Sequence, residues 1–108
     1  MPNLKVEIHP EVYNELEESR AWYEERVKNL GVDFLHAVDY AIDKICEFPG
    51  AWGWYEKKFS IRKILVQRFP YAVIYRYREN LIQIIAVANL RRKPGYWKDR
   101  VSSYLNII

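Results

Sequence analysis

An α+β fold with its helices before its main sheet is predicted by three features of this sequence. Apolar side chains recur at helical spacing over residues 10–48, and β-branched and aromatic residues dominate residues 59–88. A turn signal at Pro49-Gly50 separates the two regions. The 108 residues, 50% hydrophobic and 29% charged, fit one domain spanning 1–108, large enough to bury a core without disulfides.

Leu4, Val6 and Ile8 alternate with Lys5 and Glu7, the period of a short strand with one buried face. His9-Pro10-Glu11 ends the alternation, with Pro10 suited to a first helical turn and His9 to a local capping role. Tyr13, Leu16, Tyr23, Val27 and Leu30 then form a helical stripe, leaving Glu11, Glu15, Glu18, Glu25 and Lys28 on a solvated face. Asn29-Leu30-Gly31 reads as the stop. A second helix follows at once, with Phe34, Leu35, Val38, Ala41, Ile42 and Ile45 on its apolar face and Pro49-Gly50 at its end. So short a connection makes the two helices antiparallel, and their apolar stripes require a further layer.

That layer is expected from a three-strand meander: Ile61 to Gln67, Tyr71 to Arg78 and Leu81 to Ala88, the last two separated by Glu79-Asn80. Residues 51–58, with Trp52, Trp54 and Tyr55, read as a loop. In the middle strand Tyr71, Val73, Tyr75 and Tyr77 share one face and Ala72, Ile74, Arg76 and Arg78 the other, so either a phenolic or a basic surface is presented. Residues 101–108 are compatible with a strand, a helix or a partner-binding tail.

A lone Cys46 asks for no oxidising compartment, the N-terminus lacks a signal-peptide core, and no run approaches a membrane span; a cytoplasmic protein is expected. Charge is distributed unevenly. Residues 1–48 hold five basic and eleven acidic groups, whereas residues 49–108 hold twelve basic and three acidic ones, an asymmetry that suggests a polyanion-facing side. One Cys with His9 and His36 far apart is no metal-ligand set, and Cys46, late in an amphipathic helix beside Glu47, reads as packing. The scattered glycines form no phosphate-cradling loop, and no cofactor is expected.

The segment from Asn89 to Arg100 is the most informative: Arg91, Arg92, Lys93, Lys98 and Arg100 surround Tyr96 and Trp97 directly after a hydrophobic strand. Cations bind phosphates and aromatic faces stack on bases, so this is a candidate nucleic-acid surface, reinforced by Arg62, Lys63, Arg68, Arg76 and Arg78 on the strands. The alternative is that Tyr96 and Trp97 close the edge of the core and the cations are merely solvated.

Three segments, Phe69-Pro70-Tyr71-Ala72-Val73-Ile74-Tyr75, Ile84-Ile85-Ala86-Val87-Ala88 and Arg91-Arg92-Lys93-Pro94-Gly95-Tyr96-Trp97, together with Leu30-Gly31-Val32-Asp33-Phe34 and Phe48-Pro49, resemble the RelE/ParE superfamily of toxins from type II toxin-antitoxin systems. The resemblance implies a curved antiparallel sheet against an N-terminal strand and helical hairpin. It also implies a growth-inhibiting protein, of the kind associated with plasmid stabilization, neutralised by a cognate antitoxin. RelE-like members cleave messenger RNA in the ribosomal A site; ParE-like members inhibit DNA gyrase and are not nucleases.

On the RelE pattern, Lys63 and Arg91 match catalytic cations and Tyr96 or Trp97 falls at the acid-base Tyr. Leu65 stands at a second catalytic Lys, Ala72 at a catalytic Arg, and Asn89 where many relatives have His, although Arg62, Arg76 or Arg92 could act from shifted positions. Each lost transition-state donor is worth about 2.7–4 kcal/mol. The resemblance therefore favours a ParE-like, non-cleaving toxin whose target-binding residues are Arg62, Arg76, Arg91, Arg92, Lys93, Tyr96 and Trp97. The alternatives are a RelE-like endoribonuclease and a non-toxic RNA-binding or partner-binding module. The partners expected are an antitoxin and either gyrase or the ribosome with its messenger RNA, with no membrane and no small-molecule substrate.

Overall fold

The computed structural model describes residues 4–105, with side chains to residue 102. Strand β1 (Lys5–Ile8) leads into an antiparallel pair of helices, α1 (Pro10–Arg26) and α2 (Leu30–Glu47). Four further strands follow, β2 (Trp54–Glu56), β3 (Ile61–Leu65), β4 (Tyr71–Arg78) and β5 (Leu81–Asn89), and helix α3 (Lys98–Leu105) closes the described chain. The α+β expectation holds. The sheet order is β1-β5-β4-β3-β2, antiparallel from β5 to β2, with β1 added in parallel on the outer side of β5.

Local chemistry explains the boundaries. The His9 Nδ1 accepts the Glu11 N–H at 3.1 Å, so the side chain before Pro10 caps α1. Glu79 and Asn80 both take positive φ, 50° and 64°, the condition for a two-residue hairpin whose twist matches its strands. Between β4 and β5 the register shifts so that Ile74 faces Ala86 and Tyr75 faces Ile84, leaving Ile85 as a bulge.

Four sequence expectations need correction. The stretch read as a loop contains β2, whose Trp54 pairs with Arg62 at the sheet edge. Gly31 does not stop α1, which ends at Arg26; it lies in the first turn of α2, where an added Cβ would stand 2.6 Å from the Arg20 carbonyl oxygen. Glycine is required there by the close approach of the two helices, and the Glu24 carboxylate accepts the Asn29 and Gly31 N–H groups at 2.9 and 3.0 Å. The buried face of α1 runs through Val12 and Glu15, with Leu16 and Tyr23 partly buried, whereas Tyr13 is 59% exposed. In β1, Leu4 and Ile8 pack on the core but Val6 remains exposed.

Both faces of the sheet are covered, so the middle strand presents neither a phenolic nor a basic surface. On one face Val73, Tyr75, Ile82, Ile84 and Val87 meet Val12, Phe34, Val38, Ala41 and Ile45 of the helical pair. On the other, Ala72, Ile74, Ile85 and Ala86 meet Trp97 and Val101. The segment left open between strand, helix and tail is thus helical through residue 105, and residues 106–108 lie outside the described residues. Arg76, on this second face, is 8% exposed and donates to the Phe59 carbonyl and to Gln83, each at 3.3 Å.

Candidate functional site

The chain leaves β5 through a turn fixed by Asn89. Its side-chain oxygen accepts the Arg91 N–H at 2.9 Å, its carbonyl accepts the Arg92 N–H at 3.0 Å, and Leu90 N–H donates to the Pro70 carbonyl at 2.8 Å. Held in this way, Arg91, Arg92 and Lys93 project into solvent. Gly95, at φ 77°, then turns the chain so that Trp97 enters the second core, 2% exposed and edge-on to Tyr55 at 5.0 Å. Tyr96 lies between the two environments, with the Arg92 guanidinium 3.9 Å from its ring centre.

The hydroxyl of Tyr96 donates to Oε2 of Glu15. Glu15 is 9% exposed; its Oε1 accepts the Val87 N–H at 3.0 Å, and the Arg100 guanidinium lies 3.1 Å from Oε2. Arg100 in turn donates to the Ile85 carbonyl at 3.1 Å. The reason lies in the sheet. β1 pairs with β5 only as far as Ile84, so the outer backbone groups of β5 beyond that point need other partners. Glu15 from α1 and Arg100 from α3 supply an acceptor and a donor, and their opposite charges compensate each other in a buried setting. Burial and the Glu15 carboxylate hold the Tyr96 phenol well above its ordinary titration range.

Around the turn, positive charge is left uncompensated. Among the described residues no carboxylate forms an ion pair with Lys63, Arg91, Arg92 or Lys93, although Arg20, Arg26, Lys44, Arg68 and Arg100 all have one. Two concavities flank Tyr96. One, of about 300 Å³, lies between α1 and the ends of β4 and β5 and includes Trp22, Tyr23, Tyr71, Arg91 and Arg92. The other, of about 220 Å³, lies on the second face of the sheet and includes Lys63, Ala72, Arg92 and Lys93. Of the trio Lys63, Arg91 and Tyr96, Lys63 and Arg91 therefore line different cavities, with Tyr96 reaching both. A third, apolar groove of about 500 Å³ separates α2 from β3, with Tyr40, Trp52, Ile64 and Leu65 in its walls and Lys44 and Lys63 beside them.

Of the other sequence candidates, Arg92 and Lys93 are exposed at the turn, while Arg76 and Trp97 are interior. Arg62 donates to the Trp52 carbonyl at 2.6 Å and stacks on Trp54 at 3.6 Å, which holds the edge strand β2. Glu15 and Arg100 join the site only in the folded structure. The signal for Glu15 was its place beside Leu16 and three residues after Val12, on the buried stripe rather than the acidic face.

No protein-family model matches the sequence, and no curated protein matches it either. Among solved structures, the chain is similar to one titled "Chromosomal ParDE TA system from P. aeruginosa", a toxin-antitoxin system. The TM-score is 0.72 at 11% sequence identity, over 82% of this chain and 98% of that one. The two chains share a fold. At that identity the likeness concerns architecture and not the residues of the basic turn. Among the described residues no cluster of His, Cys, Asp or Glu is placed to hold a metal ion, and no helix is long and apolar enough to cross a membrane.

Proposed function

We propose that this chain is the toxin of a type II toxin-antitoxin pair and that it acts by binding its target, of the DNA gyrase class, rather than by cleaving RNA. The observation that carries the non-cleaving reading is the state of Tyr96. A 2′-hydroxyl attacking the next phosphate needs a proton acceptor and a proton donor within reach of the same cations. Tyr96 is the acid-base candidate, yet its hydroxyl is committed to Glu15, and Lys63 and Arg91 face different cavities. Neither concavity contains a His, and the 220 Å³ cavity beside Lys63 contains no carboxylate.

Binding needs less. Arg91, Arg92 and Lys93, aimed by a turn anchored to the sheet, present charge to an acidic target surface without reorganisation. The antitoxin segment folds into the apolar groove between α2 and β3, where Lys44 and Lys63 favour an acidic sequence around apolar anchors. Support for the toxin role comes from the ParE-like fold together with this basic turn.

Induced expression in a bacterial host tests the role. Growth arrest that is reversed by co-expressing a cognate antitoxin supports it; normal growth with verified soluble, full-length protein overturns it.

A further inference from the structure

The 300 Å³ cavity between α1 and the basic turn is built like a small-ligand site, at the lower end of the size range of such pockets. Trp22, Tyr23 and Tyr71 supply aromatic walls, Arg91 and Arg92 supply cations that among the described residues no carboxylate pairs with, and of the two carboxylates that line it Glu15 is engaged by Tyr96 and Arg100 while Glu18 faces the cavity. The groups are held in place. The Arg26 guanidinium stacks 3.5 Å from the Trp22 ring centre and donates to the Trp22 carbonyl at 2.8 Å, and the Tyr71 hydroxyl donates to Ser19 at 2.9 Å. Tyr23 is wedged against Phe34 and Phe69, with ring centres 5.4 and 4.9 Å away. The field of Arg91 reaches the Tyr23 phenol, where it opposes the effect of burial.

We propose that this cavity binds a nucleoside monophosphate, its phosphate on Arg91 and Arg92 and its base against the aromatic wall of Trp22 and the neighbouring tyrosines. Paired guanidinium groups suit the oxygens of a phosphate, and aromatic faces accept any base by stacking. Glu18 favours a ribose over an acidic side chain: its carboxylate accepts hydrogen bonds from ribose hydroxyls, whereas an ionised peptide carboxylate has no proton to donate. The open cavity, of about 300 Å³, is sized for one nucleotide, whereas a peptide needs an extended groove. The inference goes beyond the toxin reading and does not depend on it, since its test uses the purified chain alone.

Titration with AMP or GMP, followed by amide chemical shifts, is expected to saturate with a dissociation constant below roughly 1 mM. Shifts should concentrate on Trp22, Tyr23, Asn89 and Arg91. Adenosine and inorganic phosphate should each bind at least tenfold more weakly, because each engages half of the site. Arg91→Ala with Arg92→Ala should weaken AMP binding at least tenfold with an unchanged melting curve, and Trp22→Ala should weaken it about tenfold. The proposal is overturned by absent or non-saturating nucleotide binding, by equal binding of phosphate and AMP, or by wild-type affinity in the double Arg variant. Tighter binding of an acidic hexapeptide than of either nucleotide overturns it as well.

Discussion

Replacing Glu15 by Ala removes the one acceptor that links α1, the end of β5, Tyr96 and α3. The Val87 N–H at 3.0 Å, the Tyr96 hydroxyl and the Arg100 guanidinium at 3.1 Å all lose their contact with Glu15, in a place where the side chain of Arg100 is 15% exposed. Breaking a buried pair by deleting one member costs about 3–5 kcal/mol. The value should fall inside that range rather than above it, because Arg100 keeps its bond to the Ile85 carbonyl. Against a total stability of about 5–15 kcal/mol this is a large fraction, and the melting temperature should fall by more than about 12 °C. Glu15→Gln keeps an acceptor for Val87 but loses the charge facing Arg100, and should cost about 1–2 kcal/mol. Urea unfolding of the two variants measures both, and hydrogen exchange should show the Val87 amide accelerated in Glu15→Ala beyond the global change. A Glu15→Ala variant within about 0.5 kcal/mol of the parent would refute the reasoning, since an ordinary exposed helix position behaves that way.

Three further outcomes are expected. Gly31→Ala should destabilise by about 1–3 kcal/mol in a denaturant titration, against the usual gain from such a change in a helix, because the new Cβ meets the Arg20 backbone at 2.6 Å. Burial raises the Tyr75 phenol to about 12 from an ordinary 10.0, and its hydroxyl donates to the Pro49 carbonyl at 2.7 Å. The folded state thus keeps a proton that the unfolded chain releases, so this contribution is complete below pH 10.0 and disappears as the pH rises toward about 12. Melting curves across that window should show the loss, with a shallower slope in Tyr75→Phe. Arg91→Ala combined with Arg92→Ala should change stability by no more than about 0.5 kcal/mol, both side chains being exposed, yet should abolish growth arrest at matched protein levels.

The helices and the long strands were legible because their periods are carried by many residues. Phe34, Val38, Ala41 and Ile45 mark one face of α2 at helical spacing, and β4 was bounded at Tyr71 and Arg78 as the sequence indicated. Strand β2 was not legible, because three residues, Trp54 to Glu56, are too few to show alternation and owe their conformation to pairing with β3. In α1, Tyr13 and Val12 both offer an apolar stripe, and only tertiary packing selects Val12. The same selection buries Glu15, which shares the Val12 stripe; the spacing to Val12 is the only local sign of its burial, because its partners Val87 and Arg100 are distant in sequence. At the basic turn the two readings of Tyr96 and Trp97 divide. Trp97 closes the core, whereas Tyr96 is shared between the core clamp and the surface. Composition alone also could not assign the cations: Arg62 and Arg76 carry the same charge as Arg91 and Arg92 but are drawn into carbonyl contacts by neighbouring elements.

The central claim, a toxin that binds without cleaving, is tested most directly by giving the same purified chain to two assays in parallel. One follows supercoiling of relaxed plasmid by DNA gyrase; the other follows integrity of messenger RNA on translating ribosomes. The account expects supercoiling to be inhibited in proportion to the amount of chain, relieved by Arg91→Ala with Arg92→Ala, while messenger RNA stays intact. Cleavage of messenger RNA that is lost in Tyr96→Phe, with gyrase unaffected, would contradict it.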